Sequence, residues 1–195
     1  MVAEAAAKRT GPVDRLADRL VRDVPAEDPS WLLAALFPTR QLAVYVARLA
    51  TCLSERLERT VCCIDGDWRR QDLTKELGLA DEPGLGDYLT GRDDAVPFRA
   101  VRRGKLEVIP GGMAPSDSAR LTPHAVRDCV RRLPPAAPRL IMTSVDHDPV
   151  TRGLYASTEA GYLLLPRSKT RIDDAARAFH TLARYHARIL GVIFF

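Results

Sequence analysis

Apolar positions along this chain alternate between two periods. In residues 13–24, VDRLADRLVRDV, Val13, Leu16, Leu20 and Val24 recur at helical spacing, with Arg15, Arg19 and Arg22 mostly opposite. Pro12 suits a first helical turn, and the PAEDP segment at 25–29 breaks the pattern. A continuous apolar run follows at 31–37, of strand length and ended by Pro38. Residues 40–58 return to helical spacing, with Leu42, Val46, Leu49, Leu53 and Leu57 on one face. The run Val61-Cys62-Cys63-Ile64 then reads as a strand buried on both faces. Strand, helix and strand in this order predict a parallel, right-handed βαβ unit.

The alternation continues. Residues 71–77 read as a short helix closed by Gly78, and 81–91 as a turn followed by one or two helical turns. Residues 92–105 are polar and basic, predicting a loop plus an edge strand. A strand at 106–110 runs into Gly111-Gly112, read as a tight exit turn. A helix at 121–133 leads to a stiff connector with Pro134, Pro135 and Pro138, then a strand at 139–143 with a polar exit through Pro149. A strand at 161–165, a helix at 171–188 and a strand at 189–195 complete the series. The last helix is expected to bury Ile172, Ala176, Phe179, Leu182 and Tyr185. Alternating strands and helices imply a parallel sheet covered on both faces.

Composition narrows the class. The chain has 195 residues, 46% hydrophobic and 28% charged, as expected for one globular domain behind an Ala-rich leader at 1–11. The net charge of +4 comes from scattered arginines, so no nucleic-acid partner is expected. No apolar run has the length of a membrane span and no signal-peptide core is visible, which predicts a cytoplasmic protein. Cys52, Cys62, Cys63 and Cys129 lack metal-ligand spacing and read as buried, reduced thiols, the adjacent pair pointing to opposite sheet faces. The dispersed His124, His147, His180 and His186 give no metal signature.

Candidate chemistry gathers at the end of the 61–64 strand. Asp65 and Asp67 are one residue apart and point the same way in an extended segment, so they can converge on one cation or water. Carboxylates at the carboxyl end of a strand sit where open α/β sheets bind ligands, and nucleotide-bound Mg²⁺ takes one or two protein carboxylates. A phosphate loop is expected between the first strand and helix, with glycines, a lysine and a hydroxyl. Residues 37–44, FPTRQLAV, hold no glycine and no lysine; Pro38 removes a backbone donor, Arg40 is the one cation, and Thr39 precedes it.

The stretch from Val61 through Asp65, Asp67, Arg69 and Arg70, followed by Glu82-Pro83-Gly84-Leu85, resembles the bacterial tyrosine kinases (BY-kinases), within the P-loop group that includes the Min and Par ATPases. The strand ending in Gly111-Gly112, the segment ending in Arg167-Ser168-Lys169-Thr170 and the closing strand Leu190-Gly191-Val192-Ile193 are similar to later parts of that pattern. The resemblance implies a P-loop NTPase-like three-layer α/β/α sandwich with a mostly parallel central sheet over residues 12–195. By the family's spacing the loop lysine falls near Ala43 and the acid of the third nucleotide motif at Thr143; Asp146-His147-Asp148-Pro149 could supply a displaced acid, although it does not stand at the end of the apolar run. Arg19 and Arg22 match two positions of the family's oligomer contact, with Leu16 in place of its Glu.

Three readings follow. The first is a non-catalytic relative serving as a regulatory or assembly subunit in capsule or exopolysaccharide export. It needs no cofactor, and its partner is a kinase paralogue or a membrane-anchored polysaccharide chain-length adaptor, bringing it to the inner face of the plasma membrane. A homo-oligomer through Arg19 and Arg22 is also implied. The second is an active ATP-dependent tyrosine kinase or ATPase, with Asp65 holding Mg²⁺, Asp67 catalytic, and Arg40, Lys169 and Thr170 at the nucleotide. The third is a Par/Min-like partitioning ATPase relative, against which the Glu-Pro-Gly-Leu stretch argues. For Asp65 and Asp67 the structural alternative is capping of the next segment or pairing with Arg69 and Arg70; for Thr170 it is an N-cap. Loss of the phosphate cradle is expected to remove several kcal/mol of transition-state stabilisation.

Overall fold

The computed structural model describes residues 11–24, 27, 29–102, 105–112, 121–133, 137–167, 169–185 and 187–195. Residues 1–10 of the leader, the Pro134-Pro135 part of the connector and Pro25, Ala26 and Asp28 of the 25–29 break lie outside these. The elements in chain order are α1 (Pro12–Asp23), β1 (Ser30–Ala35), α2 (Arg40–Leu57), β2 (Val61–Asp65), α3 (Asp72–Glu76), α4 (Leu85–Leu89) and β3 (Arg99–Val101). They continue with β4 (Leu106–Ile109), α5 (Pro123–Arg132), β5 (Arg139–Ser144), α6 (Pro149–Ala156), β6 (Ala160–Leu165), α7 (Ile172–Arg184) and β7 (Ile189–Phe194).

The strands form one sheet in the order β3-β4-β2-β5-β1-β6-β7, parallel except for β3, which pairs antiparallel with β4. β5 inserts between β1 and β2, pairing Leu32 with Ile141 on one side and Ile64 with Ile141 on the other. From β1 the chain moves to β2 on one side and later places β6 on the other, so the topological switch lies at the carboxyl end of β1.

Because every central strand is buried on both faces, its alternate residues build two separate cores. Leu33, Cys63, Leu140, Met142 and Leu164 pack with Leu16 and Leu20 of α1 and Leu42, Val46 and Leu49 of α2. Leu32, Cys62, Ile64, Ile141 and Leu163 pack with Val126 of α5, Leu154 of α6 and Leu182 of α7. This is a three-layer α/β/α sandwich around a mostly parallel sheet, the architecture of P-loop NTPase folds. Cys62 and Cys63 do face opposite layers, whereas Cys52 and Cys129 are only half-buried.

Three local expectations are corrected. Helix α6 replaces what reads as a polar exit: Asp148 caps it, accepting from Val150 N at 2.9 Å and Thr151 N at 3.0 Å, and Pro149 takes its first turn. The last helix ends at Arg184, not 188, and its buried side is Ala178 and Leu182 with Ala175 and Tyr185 beside them. Ile172 and Phe179 are 87% and 45% exposed, and Ala176 is also exposed, because small alanines rather than the large residues pack against the sheet. Thr170 is not the cap of α7: that position is Arg171, and Thr170 Oγ1 donates to Pro166 O at 2.8 Å.

Candidate functional site

The carboxyl ends of β1, β2 and β5 define the place where a nucleotide fold holds its ligand. At β1 the connection to α2 is residues 36–39 alone, and the helix begins at Arg40. Thr39 caps it: its Oγ1 accepts from Leu42 N at 3.2 Å, while its carbonyl accepts from Leu42 N and Ala43 N. The Leu42 amide, one of those at a helix start that would otherwise be open to an anion, is thereby engaged. Phe37 occupies the tip and lines a cavity of about 300 Å³ with Leu36, Val145, His147, Arg177 and Thr181. None of Arg40, Asp65, Asp67, Lys169 or Thr170 lines that cavity. Arg40 points its largely exposed guanidinium at Glu76, 3.6 Å away.

Asp65, the last residue of β2, is fully buried, and both of its carboxylate oxygens are engaged. Its Oδ2 accepts from Thr74 N at 2.8 Å and Thr74 Oγ1 at 2.7 Å, and its Oδ1 accepts from Asp67 N at 3.1 Å. Thr74 Oγ1 in turn accepts from Gly111 N at 2.9 Å, joining the end of β2 to α3 and the exit of β4. The carboxylate therefore caps α3 from a distance, since Gln71, at the cap position itself, makes no side-chain capping bond. Burial pushes the Asp65 carboxyl up from 3.8 to about 6, against the lowering effect of the Thr74 and Asp67 hydrogen bonds.

Asp67 is arranged differently. Its Oδ1 accepts from Arg70 N at 3.3 Å, but its buried Oδ2 has no hydrogen-bond partner. Burial raises its carboxyl above the usual range, opposed by the Arg70 amide and guanidinium. Arg69 and Arg70 form their ion pairs elsewhere: Arg69 with Asp146 at 3.2 Å, leaning over the Trp68 ring, and Arg70 with Asp72 at 3.1 Å. Asp146 and Asp148 are thus occupied by an ion pair and a helix cap. Thr143 is buried and donates to Gly66 O at 3.3 Å.

Lys169 is exposed, its backbone amide bonded to Pro166 O at 3.3 Å. Gly84 and Gly112 owe their identity to packing: a Cβ on Gly84 would collide with Gly112 N and Pro110 O, and Gly112 sits at φ +70° against Asp87. Asp87 Oδ2 accepts from Gly84 N at 3.0 Å, and Leu85 N and Gly86 N donate to Pro110 O at 2.8 Å and Gly111 O at 3.0 Å, so the Glu-Pro-Gly-Leu turn is clamped onto the β4 exit. Among the described residues no three His, Cys, Asp or Glu side chains gather as a metal-binding group. The residues at the β1–α2 connection do not fit a magnesium–triphosphate group: the glycine cradle and the lysine are missing, the Leu42 amide is capped by Thr39, and Asp65 is taken. Thr74 and the capping role of Asp148 were not apparent from sequence; only the Asp148-Pro149 pair carries a local signal, that of a helix start.

No protein-family model matches the sequence, and no curated protein matches it. Solved structures do. The kinase domain of the Escherichia coli tyrosine kinase ETK superposes with a TM-score of 0.81 at 18% identity, covering 93% of this chain and 73% of that one. The VpsO kinase domain gives 0.77 at 18% identity, covering 93% and 91%. Apo McdA from Cyanothece gives 0.68 at 17% identity, covering 86% and 72%. At these identities the likeness is one of fold: a P-loop NTPase-like domain, related in architecture both to tyrosine-kinase domains and to partitioning-type ATPases.

Proposed function

We propose that this chain is a non-catalytic relative of the bacterial tyrosine kinases, acting as a regulatory or assembly subunit in capsule or exopolysaccharide export. Its partner in this reading is a kinase paralogue or a membrane-anchored chain-length adaptor. The observation that carries it is the β1–α2 connection: four residues, no glycine, no lysine, and a Leu42 amide capped by Thr39. Phosphoryl transfer rests on positioning and charge stabilisation, both supplied by the cradle this connection lacks. The engagement of Asp65 by Thr74 and Asp67 N supports the same reading. Among the described residues no helix is long and apolar enough to cross a membrane.

The second reading, an ATPase or kinase with an atypical phosphate loop, draws on one observation, the unpartnered buried Oδ2 of Asp67. Calorimetric titration of the full chain with ATP and Mg²⁺ separates the two. Absence of binding is expected. Micromolar binding lost in Asp67→Asn would overturn the non-catalytic reading. Recovery from its native cell as a free monomer, with no kinase or adaptor attached, would count against the subunit role.

A further inference from the structure

The two edges of the sheet are built in opposite ways. β3 is a short basic edge of three residues, antiparallel to its neighbour, the kind of strand that resists further pairing. β7 is six residues long, carries no charge and no proline, and pairs only with β6 among the described residues. Phe195 directs both its backbone groups inward, its N–H to Leu165 O at 3.1 Å and its carbonyl to Arg167 N at 3.0 Å. By the alternation of a parallel ladder, Val192 and Phe194 present theirs outward.

The side chains flanking this edge differ by face. Ile193 and Phe195 pack toward α1 and α2, so Val192 and Phe194 lie on the α7 side, 43% and 54% exposed. Helix α7 packs over β6 and β7. Its Asp174, Arg177 and Thr181 face the cavity at the end of β1, which turns the opposite flank, with Ile172 and Phe179, toward the β7 edge. On the other face a groove of about 760 Å³ runs between α1, α2 and β7, bordered along the edge by residues 192–195; Arg15, Arg48 and Arg19, the last paired with Asp23 at 3.2 Å, line it, and no Asp or Glu does.

We propose that β7 is a docking edge for an extended segment of a partner protein in which apolar and acidic residues alternate. Such a segment adds a strand through the outward backbone groups of Val192 and Phe194. Its apolar side chains cover Val192, Phe194 and Phe179, and its carboxylates, on the opposite face, meet Arg15, Arg19 and Arg48. The strand period of two sorts the two chemistries onto the two faces, and the basic groove selects acidic over basic partners. This surface lies apart from the carboxyl ends of β1 and β2 and does not depend on whether nucleotide binds.

The test uses the full chain and a fluorescein-labelled peptide alternating glutamate and valine, read by fluorescence anisotropy without ATP. Saturable binding is expected, weakening by about tenfold or more in a shuffled peptide, in a lysine–valine peptide, in the R19E/R48E double variant and in Phe194→Lys. Amides of Val192 and Phe194 should gain protection from hydrogen exchange. If Phe194→Lys does not fold, Val192→Lys gives the same reading at a second exposed position. No saturable binding, or equal binding of the shuffled peptide, overturns the proposal. So does a concentration-dependent dimer abolished by Val192→Lys, which would assign the edge to a second copy of this chain.

Discussion

Replacing Asp65 by Asn tests the capping role assigned to this carboxylate. Its folded-state pKa lies above the unfolded value, rising from 3.8 to about 6 through burial. The folded protein therefore binds more protons than the unfolded chain in that window, and stability falls as pH rises through it. The favourable contribution of the protonated side chain is fully present below 3.8 and lost once pH passes about 6. The rise corresponds to about 3 kcal/mol between the two limits. Asn is neutral throughout; its carbonyl can still accept from Thr74 N and Oγ1, but its amide then faces the Asp67 N–H. That clash costs about 1–3 kcal/mol at every pH. Urea unfolding of both proteins between pH 4 and 7 isolates the charge, because the clash cancels in the pH dependence. The stability of the native protein relative to the variant should drop by about 2 kcal/mol from pH 4 to pH 7, since the unfolded carboxyl is already partly ionised at pH 4. A flat difference would show an ordinary pKa and refute the burial argument. A difference that grows in favour of the native protein as pH rises, and more so with Mg²⁺, would mean that the carboxylate is held ionised by a cation.

Four further outcomes are expected. Thr39→Ala removes the cap of α2 and should cost about 1 kcal/mol in urea unfolding; no change would mean the amides at that helix start are satisfied in another way. Gly153→Ala should destabilise by about 1–3 kcal/mol although alanine favours helices, because its Cβ would meet Val126 and Pro123 O where α5 crosses α6; a gain in thermal stability would refute that close contact. Gly84→Ala should cost at least as much, measured the same way, since backbone on both sides leaves no room to yield. In native protein at pH 8, Cys62, whose thiol burial pushes up to about 12, and the fully buried Cys63 should react with a thiol reagent far more slowly than half-buried Cys52; equal rates would point to opening of the β2 region.

What could be read in the sequence follows from what each signal depends on. Strands buried on both faces appear as unbroken apolar runs whatever their neighbours, so β1, β2, β5 and β6 are visible locally. Their order is not, because β5 enters between β1 and β2 through connections that leave no local mark. Helix α2 shows its face plainly, since large residues at helical spacing meet the sheet. In α7 the same rule selects Ile172 and Phe179, yet close packing on the sheet is made by Ala175, Ala178 and Leu182, and the large residues are left at the edge. Helix α6 hides behind Gly153, a poor helix former kept for its close contact with α5. At the site, Asp65 and Asp67 are visible as a pair, but Thr74, nine residues on, is not, and it is the partner that decides what Asp65 does.

The two carboxylates at the end of β2 pull the chemistry in different directions. A carboxylate offers about four lone-pair positions, and Asp65 has filled three of them with donors from α3 and from its own turn. Giving those donors up to a cation would leave the Thr74 amide and hydroxyl unpaired in a fully buried place, a loss of about 1–3 kcal/mol for each group. Retention of Asp65 is thus explained by folding alone, since it holds α3 and the β4 exit against β2 through Thr74 and Gly111. Asp67 has no such explanation, because one of its oxygens is buried and unpaired. Arg70 relieves it only in part, its amide bonding the other oxygen, and the guanidinium groups of Arg69 and Arg70 are paired with Asp146 and Asp72. Any remaining ligand chemistry at this end of the sheet therefore rests on Asp67, which makes Asp67→Asn, with Asp65 left in place, the substitution that separates a retained scaffold from a working site.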